Sequence, residues 1–563
     1  MIFIPSIAGP PRRAFCCILI LLVVLTGGCF SPPPESDGST TDPEAREASG
    51  TAQEYAVPTF PEEAPVSGEL RMLLPEPDSY YPLEVRDRRY RQILPLLHDS
   101  LFTWTANGAL TFGMVETAAW TDSQTSLVLS LRPGQRWQDS DDEITAADVV
   151  ATLEAILRQP ASPWYAGLDR VRRIASLDQY RVEISLSRPD PYLVYALTFP
   201  VLKAGWLAGD RSSFPPSSGP YRATGLSREE GLVLERNPAY PGSADYLVPR
   251  IRIRFYRDIA DASRAMLDDE ADLLALDQEG YARMHRSGAL SISRFPCERY
   301  FYVHYQAGEG RALANADLFR AVKAELTDLS SGRTSRAGRA QTAWEPQPLL
   351  ATFALPFVPT FASVWPAATQ LFAGSSLKDA AGWTPDPEAA PLRLIFRHGD
   401  FDETLAEALA RRLETVGIRI EVAGLGAETY DNAIADQAYD LCLASCELGH
   451  IPDPLWLYAP GSGHGPEPGY EWSQAAPSDW TESLAALRRY RLPAGVLEPF
   501  ADPAWRELVA ACEAEGPFSS IGFLYEGVIL GDRLQGPQPR NCYRPYALIE
   551  ENWTWSGSSL SPE

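Results

Sequence analysis

Two carboxylates and an imidazole stand close together in Glu447-Leu448-Gly449-His450-Ile451-Pro452-Asp453-Pro454. A carboxylate can hold an ammonium group through a charge-assisted hydrogen bond, and a neutral imidazole can donate or accept one. This segment is the candidate binding loop, with Glu447, His450 and Asp453 as its ligand-binding residues. Asp453 also precedes a proline, and Asp-Pro pairs start turns. Catalytic chemistry has no comparable cluster. The histidines are scattered at His98, His285, His304, His398, His450 and His464, with no His-Glu-x-x-His helix, no Gly-x-Ser-x-Gly elbow and no phosphate-cradling glycine loop. The runs Asp141-Asp142-Glu143 and Asp268-Asp269-Glu270 read as solvated faces, so no enzyme is expected. Cys442 and Cys446 lie near His450, yet the second ligand pair of a zinc site is missing, and neither metal nor cofactor is expected.

A second reactive position lies near the amino terminus. An apolar run follows Arg12-Arg13 and ends in Leu25-Thr26-Gly27-Gly28-Cys29. Residues 14–25 are too few for a comfortable membrane span, which needs ~20 apolar residues, and read as the hydrophobic part of a secretory signal. The small residues before Cys29 resemble the bacterial lipobox, which implies cleavage after residue 28 and lipidation of the Cys29 thiol. Two or three acyl chains anchor stably, at ~0.8 kcal/mol per buried methylene. Residues 29–67, rich in proline, serine and threonine, read as a disordered linker.

The chain beyond residue 67 is longer than the ~300 residues at which one core stops growing, so several lobes are expected. The full sequence carries 74 acidic and 49 basic residues, a net charge of -25. That excess argues against a phosphate-tracking role, and no nucleic acid partner is expected. Past Cys29, five cysteines remain: Cys297, Cys442, Cys446, Cys512 and Cys542. An odd number leaves at least one free thiol, and sequence alone cannot pair the others.

The elements that must position the loop follow from periodicity. Strict alternation predicts strands over 126–131, 181–186, 232–235 and 250–255. Thr145 and Asp148 form a capping box ahead of a helix whose apolar face is Val149, Leu153, Ile156 and Leu157. A second helix is predicted over 260–267. A strand over 392–396, a helix over 402–415 closed by Gly417, and a strand over 418–422 make a βαβ unit. Such alternation places the chain in the α/β class. Seven tryptophans, at 104, 137, 383, 456, 505, 553 and 555, could stack on a ligand, although an isolated tryptophan more often packs in a core.

Several short motifs occur in order along the chain: His98-Asp99-Ser100-Leu101-Phe102, Leu131-Arg132-Pro133-Gly134, Ile144-Thr145-Ala146-Ala147-Asp148-Val149, Ser218-Gly219-Pro220-Tyr221, Arg236-Asn237-Pro238-Ala239-Tyr240 and Glu270-Ala271-Asp272-Leu273, followed by Ala381-Gly382-Trp383, Tyr439-Asp440-Leu441 and Asp453-Pro454. Together they resemble the bacterial extracellular solute-binding proteins of family 5, the peptide and nickel type that feeds ABC importers. The resemblance implies a multi-lobed α/β fold of the periplasmic-binding-protein kind (type II, cluster C), with a ligand cleft between two main lobes. It implies lobe I from residues 68–95, 215–299 and 517–563, lobe II from 96–214 and lobe III from 300–516.

The function implied is capture of a peptide or peptide-sized solute by hinge closure and delivery to a membrane permease. The partners implied are the small-molecule or peptide ligand, the ABC permease and the membrane that holds the lipid anchor. The protein is expected to be an extracytoplasmic monomer. Peptide-binding members of the family carry an aspartate for the ligand's α-ammonium where this chain has His450. A neutral imidazole cannot supply that charge-assisted bond, which leaves a surface sensor or scaffold without transport as the alternative.

Overall fold

The structure is a computed structural model describing residues 68–105, 109–209, 214–227, 231–246, 248–276, 280, 284, 292–308, 310–330, 350–351, 386, 388–398, 402–447, 449–451, 453, 455, 478–535, 539, 542–546 and 554–555. The expected signal, Cys29, the expected linker and the Ala381-Gly382-Trp383 motif lie outside the described residues. No described helix is long and apolar enough to cross a membrane.

In chain order the strands are β1 (Glu69–Pro75), β2 (Phe102–Trp104), β3 (Leu110–Phe112), β4 (Val115–Trp120), β5 (Ser126–Leu131), β6 (Val171–Ser176), β7 (Arg181–Leu186), β8 (Tyr221–Ser227), β9 (Gly231–Arg236), β10 (Arg250–Tyr256), β11 (Leu273–Leu276), β12 (Ile292–Tyr305), β13 (Leu350–Ala351), β14 (Leu392–Arg397), β15 (Ile420–Leu425), β16 (Leu441–Glu447) and β17 (Phe518–Leu530), followed by the short pair β18 (Leu534–Gln535) and β19 (Thr554–Trp555). Among the described residues, one mixed sheet runs in the order β15-β14-β16-β12-β17-β11-β1-β10-β9-β8, with β13 paired to β17. Its two halves meet at the long antiparallel pair β12 and β17. The carboxyl half of β12 pairs with β16, through Tyr300↔Cys446 to Tyr305↔Leu441. The amino half faces the carboxyl half of β17, from Ile292↔Ile529 to Pro296↔Tyr525, with register shifts between Pro296 and Tyr300 and again between Phe301 and Tyr302. β12 thus runs without a break through residues 299 and 300, where the sequence reading places the border of lobes I and III. Irregular pairing at that point lets a strand bend.

The alternating segments form the strands expected of them. β5 and β7 pair antiparallel in a four-stranded sheet of order β4-β5-β7-β6, with Leu127, Leu129, Val182 and Ile184 fully buried. The helix Ala146–Leu157 covers this region, and the Asp148 carboxylate accepts the Thr145 amide at 2.9 Å. The βαβ unit is also present. β14 and β15 are parallel neighbours, joined through the helix Asp402–Thr415 and Gly417 with φ +88°. The second strand starts at Ile420, two residues later than alternation suggests. Ile418 is instead buried as part of the turn, its amide bonded to the Leu413 carbonyl at 3.1 Å.

Two of the short motifs act as fasteners. Asp272 is 1% exposed and receives Arg71 through Nε at 3.0 Å, through Nη2 at 2.8 Å and through the backbone amide at 2.9 Å, which ties the start of β11 to β1. In Ser218-Gly219-Pro220-Tyr221, the Ser218 and Gly219 amides both donate to the Leu97 carbonyl, at 3.0 and 2.9 Å. The Ser218 hydroxyl accepts the Asp99 amide at 2.9 Å. A β-carbon on Gly219 would come within 2.8 Å of the Leu97 backbone, so only glycine admits this approach. These contacts set the end of the helix Arg88–Leu97, called α1 below.

Candidate binding site

α1 begins at Asp87, whose carboxylate accepts the Tyr90 amide at 2.9 Å. Tyr90, Ile93, Leu94, Leu96 and Leu97 are buried, a spacing of three and four that gives the helix one apolar face. Arg88 and Arg91, three apart, share another face. Both line a cavity of about 70 Å³ whose further walls come from distant parts of the chain: Trp104, Trp164, His450, Tyr543 and Arg544. α1 follows β1 and His450 follows β16, so the cavity gathers residues that come after the carboxyl ends of strands in both halves of the large sheet. Crevices at such strand ends are the usual ligand sites of α/β sheets.

Aromatic rings build the walls. Trp104 and Tyr543 stack with centroids 4.4 Å apart and planes 15° from parallel. The Arg91 guanidinium lies over Trp164 at 5.7 Å from its centroid, and Trp164 meets the His450 ring edge-on at 6.1 Å. The Trp164 indole N–H donates to the Pro82 carbonyl at 2.8 Å, which fixes that ring. The carboxyl-terminal segment is held from two sides. Gln92 donates to the Cys542 carbonyl at 2.5 Å, and Arg544 donates to the Trp104 carbonyl at 3.1 Å. Tyr543 donates to the Gly449 carbonyl at 3.3 Å, joining this segment to the candidate loop.

The electrostatics are one-sided. Three guanidinium groups, of Arg88, Arg91 and Arg544, and two imidazoles, of His98 and His450, line the cavity, and among its described lining residues there is no aspartate or glutamate. Arg88 is ion-paired with the buried Glu526. Behind Arg544 lies Asp99, which accepts the Tyr240 hydroxyl at 2.9 Å and whose carboxyl is pushed up to about 6 by burial, against the pull of Tyr240 and Arg544. His98 is 1% exposed, and among the described residues neither of its ring nitrogens has a hydrogen-bond partner; the same is true of His450 Nε2. Burial holds His98 down to about 3. Burial, with the Arg91 charge beside it, holds His450 down to about 4. Both rings are therefore neutral at pH 7.

Of the three residues proposed from sequence, His450 lies on the cavity. Gly449, with φ +66°, makes the left-handed turn that presents it. Glu447 is the last residue of β16, with its backbone opposite Arg299, and its side chain lies outside the described residues. Asp453 is not among the lining residues. It is 1% exposed, and its carboxylate accepts the Leu455 amide at 2.9 Å, the turn chemistry that its place before proline suggests.

Of the tryptophans singled out, Trp104 lines the cavity, whereas Trp137 and Trp505 are buried in the core. Sequence reasoning passed over Arg88, Arg91, Trp164 and Arg544, and treated His98 as part of a motif and as one of the scattered histidines. A signal for the first two is visible in Arg86-Asp87-Arg88-Arg89-Tyr90-Arg91, a basic run in an acidic chain. None of the five described cysteines is in a disulfide. Cys442 lies 3.2 Å from the Tyr430 hydroxyl, with its thiol pushed up to about 12 by burial.

A family model for bacterial extracellular solute-binding proteins, family 5 (middle), matches residues 110–466. The chain is 22% identical over 344 residues to the probable D,D-dipeptide-binding periplasmic protein DdpA of Escherichia coli (strain K12), covering 58% of this chain and 63% of that protein. It is 27% identical over 160 residues to the peptidoglycan-binding protein YepA of Agrobacterium fabrum, covering 26% of this chain and 25% of that one. The matches thus span less than two thirds of the length of these curated relatives. Among solved structures, the unliganded open form of the periplasmic murein tripeptide binding protein MppA superposes with a TM-score of 0.65 at 17% identity, covering 87% of this chain and 98% of that chain.

Proposed function

Because this chain belongs to the bacterial extracellular solute-binding proteins of family 5 and has their multi-lobed α/β fold of type II, cluster C, we propose that it is the substrate-binding protein of an ABC importer. It captures a peptide or peptide-sized solute and delivers it to a membrane permease, with no covalent step. The protein works outside the cytoplasm as a monomer, tethered by lipid on Cys29 and spaced from the membrane by residues 29–67. Lobes I, II and III follow the boundaries read from sequence.

The observation that carries this reading is the make-up of the cavity wall. Arg91, Trp164 and His450 come from stretches that the family resemblance assigns to lobes I, II and III respectively, and all three line one space. A ligand touching them bridges the lobes, so it stabilises whichever arrangement brings them together. The cavity of about 70 Å³ is small beside the several hundred Å³ of ordinary small-molecule sites. A peptide therefore enters a wider cleft, and the long pair β12 and β17, with its irregular register, is the place to bend. The names of the two curated relatives, a D,D-dipeptide binder and a peptidoglycan binder, favour cell-wall peptides as the solute.

Small-angle X-ray scattering of the mature protein with and without D-alanyl-D-alanine or peptidoglycan-derived peptides tests the hinge. A smaller radius of gyration, together with a Tm that rises with ligand concentration, is expected. A higher Tm without compaction would mean a rigid site. Cys29→Ala should leave the protein uncut or released, and a mature, membrane-bound Cys29→Ala protein would refute the lipid anchor.

A further inference from the structure

The cavity wall is largely apolar and aromatic, and its charged groups are all basic. Arg88 and Arg91 approach from α1 and Arg544 from the carboxyl-terminal segment. His98, 1% exposed, has two ring nitrogens without partners, and His450 has one. A neutral imidazole still donates through one nitrogen. Among the described residues the nearby acids are engaged behind the wall: Glu526 with Arg88 and, at 4.0 Å, Arg89, Asp87 with Arg89 at 3.1 Å, and Asp99 with Tyr240. A ligand ammonium placed here would meet guanidinium groups and no lining carboxylate among the described residues. Arg88 is committed to Glu526, so a ligand carboxylate would meet the Arg91 and Arg544 guanidinium groups and the imidazoles, in a chain whose net charge is otherwise -25. Concentrating basic groups in one cleft of an acidic protein focuses the local field on anions, and arginine is suited to carboxylates through paired N–H donors.

We propose that this cavity is a carboxylate-binding site, and that the solute is anchored by an anionic end rather than by its α-ammonium. This rests on the solute-binding reading above and names the chemical class of what is bound. Arg91, stacked over Trp164 beside His450, is the residue expected to touch the carboxylate together with Arg544.

Calorimetry on the full mature protein with four probes tests it: D-alanyl-D-alanine, its N-acetyl derivative, its C-terminal amide, and citrate as a non-peptide carboxylate. The N-acetyl derivative should bind about as well as the free dipeptide, and the amide roughly tenfold or more weaker, as expected for loss of a charge-assisted bond. Arg91→Gln should weaken the N-acetyl dipeptide by a similar factor, with Arg91→Lys intermediate. Arg544→Gln supplies the same readout should Arg91→Gln fail to fold by circular dichroism. Tight binding of the amide with weak binding of the N-acetyl form would overturn the carboxylate anchor while leaving peptide capture intact. Binding of citrate alone would support the anchor and overturn peptide capture, and binding of none of the four would count against both. Folded variants of Arg91 and Arg544 with unchanged affinity would remove this cavity as the anchor.

Discussion

Ile451 occupies the space that a side chain on Gly167 would need: its Cδ1 lies 2.3 Å from the position of a β-carbon there. Gly167 also has φ +77°, a backbone conformation that costs a residue with a β-carbon ~1–2 kcal/mol. The residue beside His450 is thus seated against a loop that also carries Trp164, and the geometry of the candidate site depends on this fit.

Gly167→Ala should therefore destabilise the protein by roughly 2–4 kcal/mol, combining backbone strain with displacement of Ile451, and should weaken ligand binding by shifting His450. Thermal melts and calorimetry read both effects. Adding Ile451→Ala to Gly167→Ala should recover part of the binding by removing the clash but little of the strain. Equal stability of Gly167→Ala and the native protein would show that the loop adapts freely.

Acid should loosen the fold through its buried histidines. His98 and His304 are each 1% exposed and held down to about 3 by burial, against about 6.5 in an unfolded chain. The fold needs the neutral ring, so its stabilisation is complete above pH 6.5 and declines as pH falls from 6.5 towards 3. At pH 5 each ring should cost roughly 2 kcal/mol relative to pH 7. Urea midpoints at pH 7, 6 and 5 should fall in step, and His98→Leu should flatten that slope. A slope unchanged by His98→Leu would mean that His98 is solvated.

The Arg71 and Asp272 pair should be costly to break. Asp272→Asn leaves the Arg71 guanidinium facing a neutral amide in a site where Asp272 is 1% exposed, and removal of one partner of a buried pair costs about 3 kcal/mol or more. The loss should appear in chemical denaturation with ligand affinity per folded molecule unchanged, because neither residue lines the cavity. A neutral result would mean that water reaches the pair.

The candidate loop can be dissected by charge. His450→Ala removes a ring that lines the cavity and should weaken binding of a carboxylate ligand by roughly tenfold. Glu447→Gln should leave that affinity unchanged when the anchor is anionic, and should cost roughly 10²-fold when an ammonium is held instead. Calorimetry with N-acetyl-D-alanyl-D-alanine and the free dipeptide separates the two outcomes.

Local elements were legible because their causes are local. Alternation in 126–131 and 181–186 marks strands with one buried face, Thr145 and Asp148 mark a helix start, and Gly417 marks a helix end; each appears in the structure. The order of short motifs likewise carried the family, and with it the multi-lobed α/β class. His450 was legible as a departure from a pattern.

What the tertiary structure alone decided is which residues share the cavity and what each one faces there. Arg91 and Arg544, or Trp104 and Tyr543, are hundreds of residues apart, and no periodicity links them; they meet because α1, the Trp164 loop and the carboxyl-terminal segment pack around one space. Whether a charged group is buried, paired or unpartnered depends on that packing. Asp453 became a turn acceptor, Asp272 an ion-pair partner for β1, and His98 a neutral ring without hydrogen bonds. Residue type sets the chemistry a side chain can perform, and long-range burial sets its charge state and its neighbours.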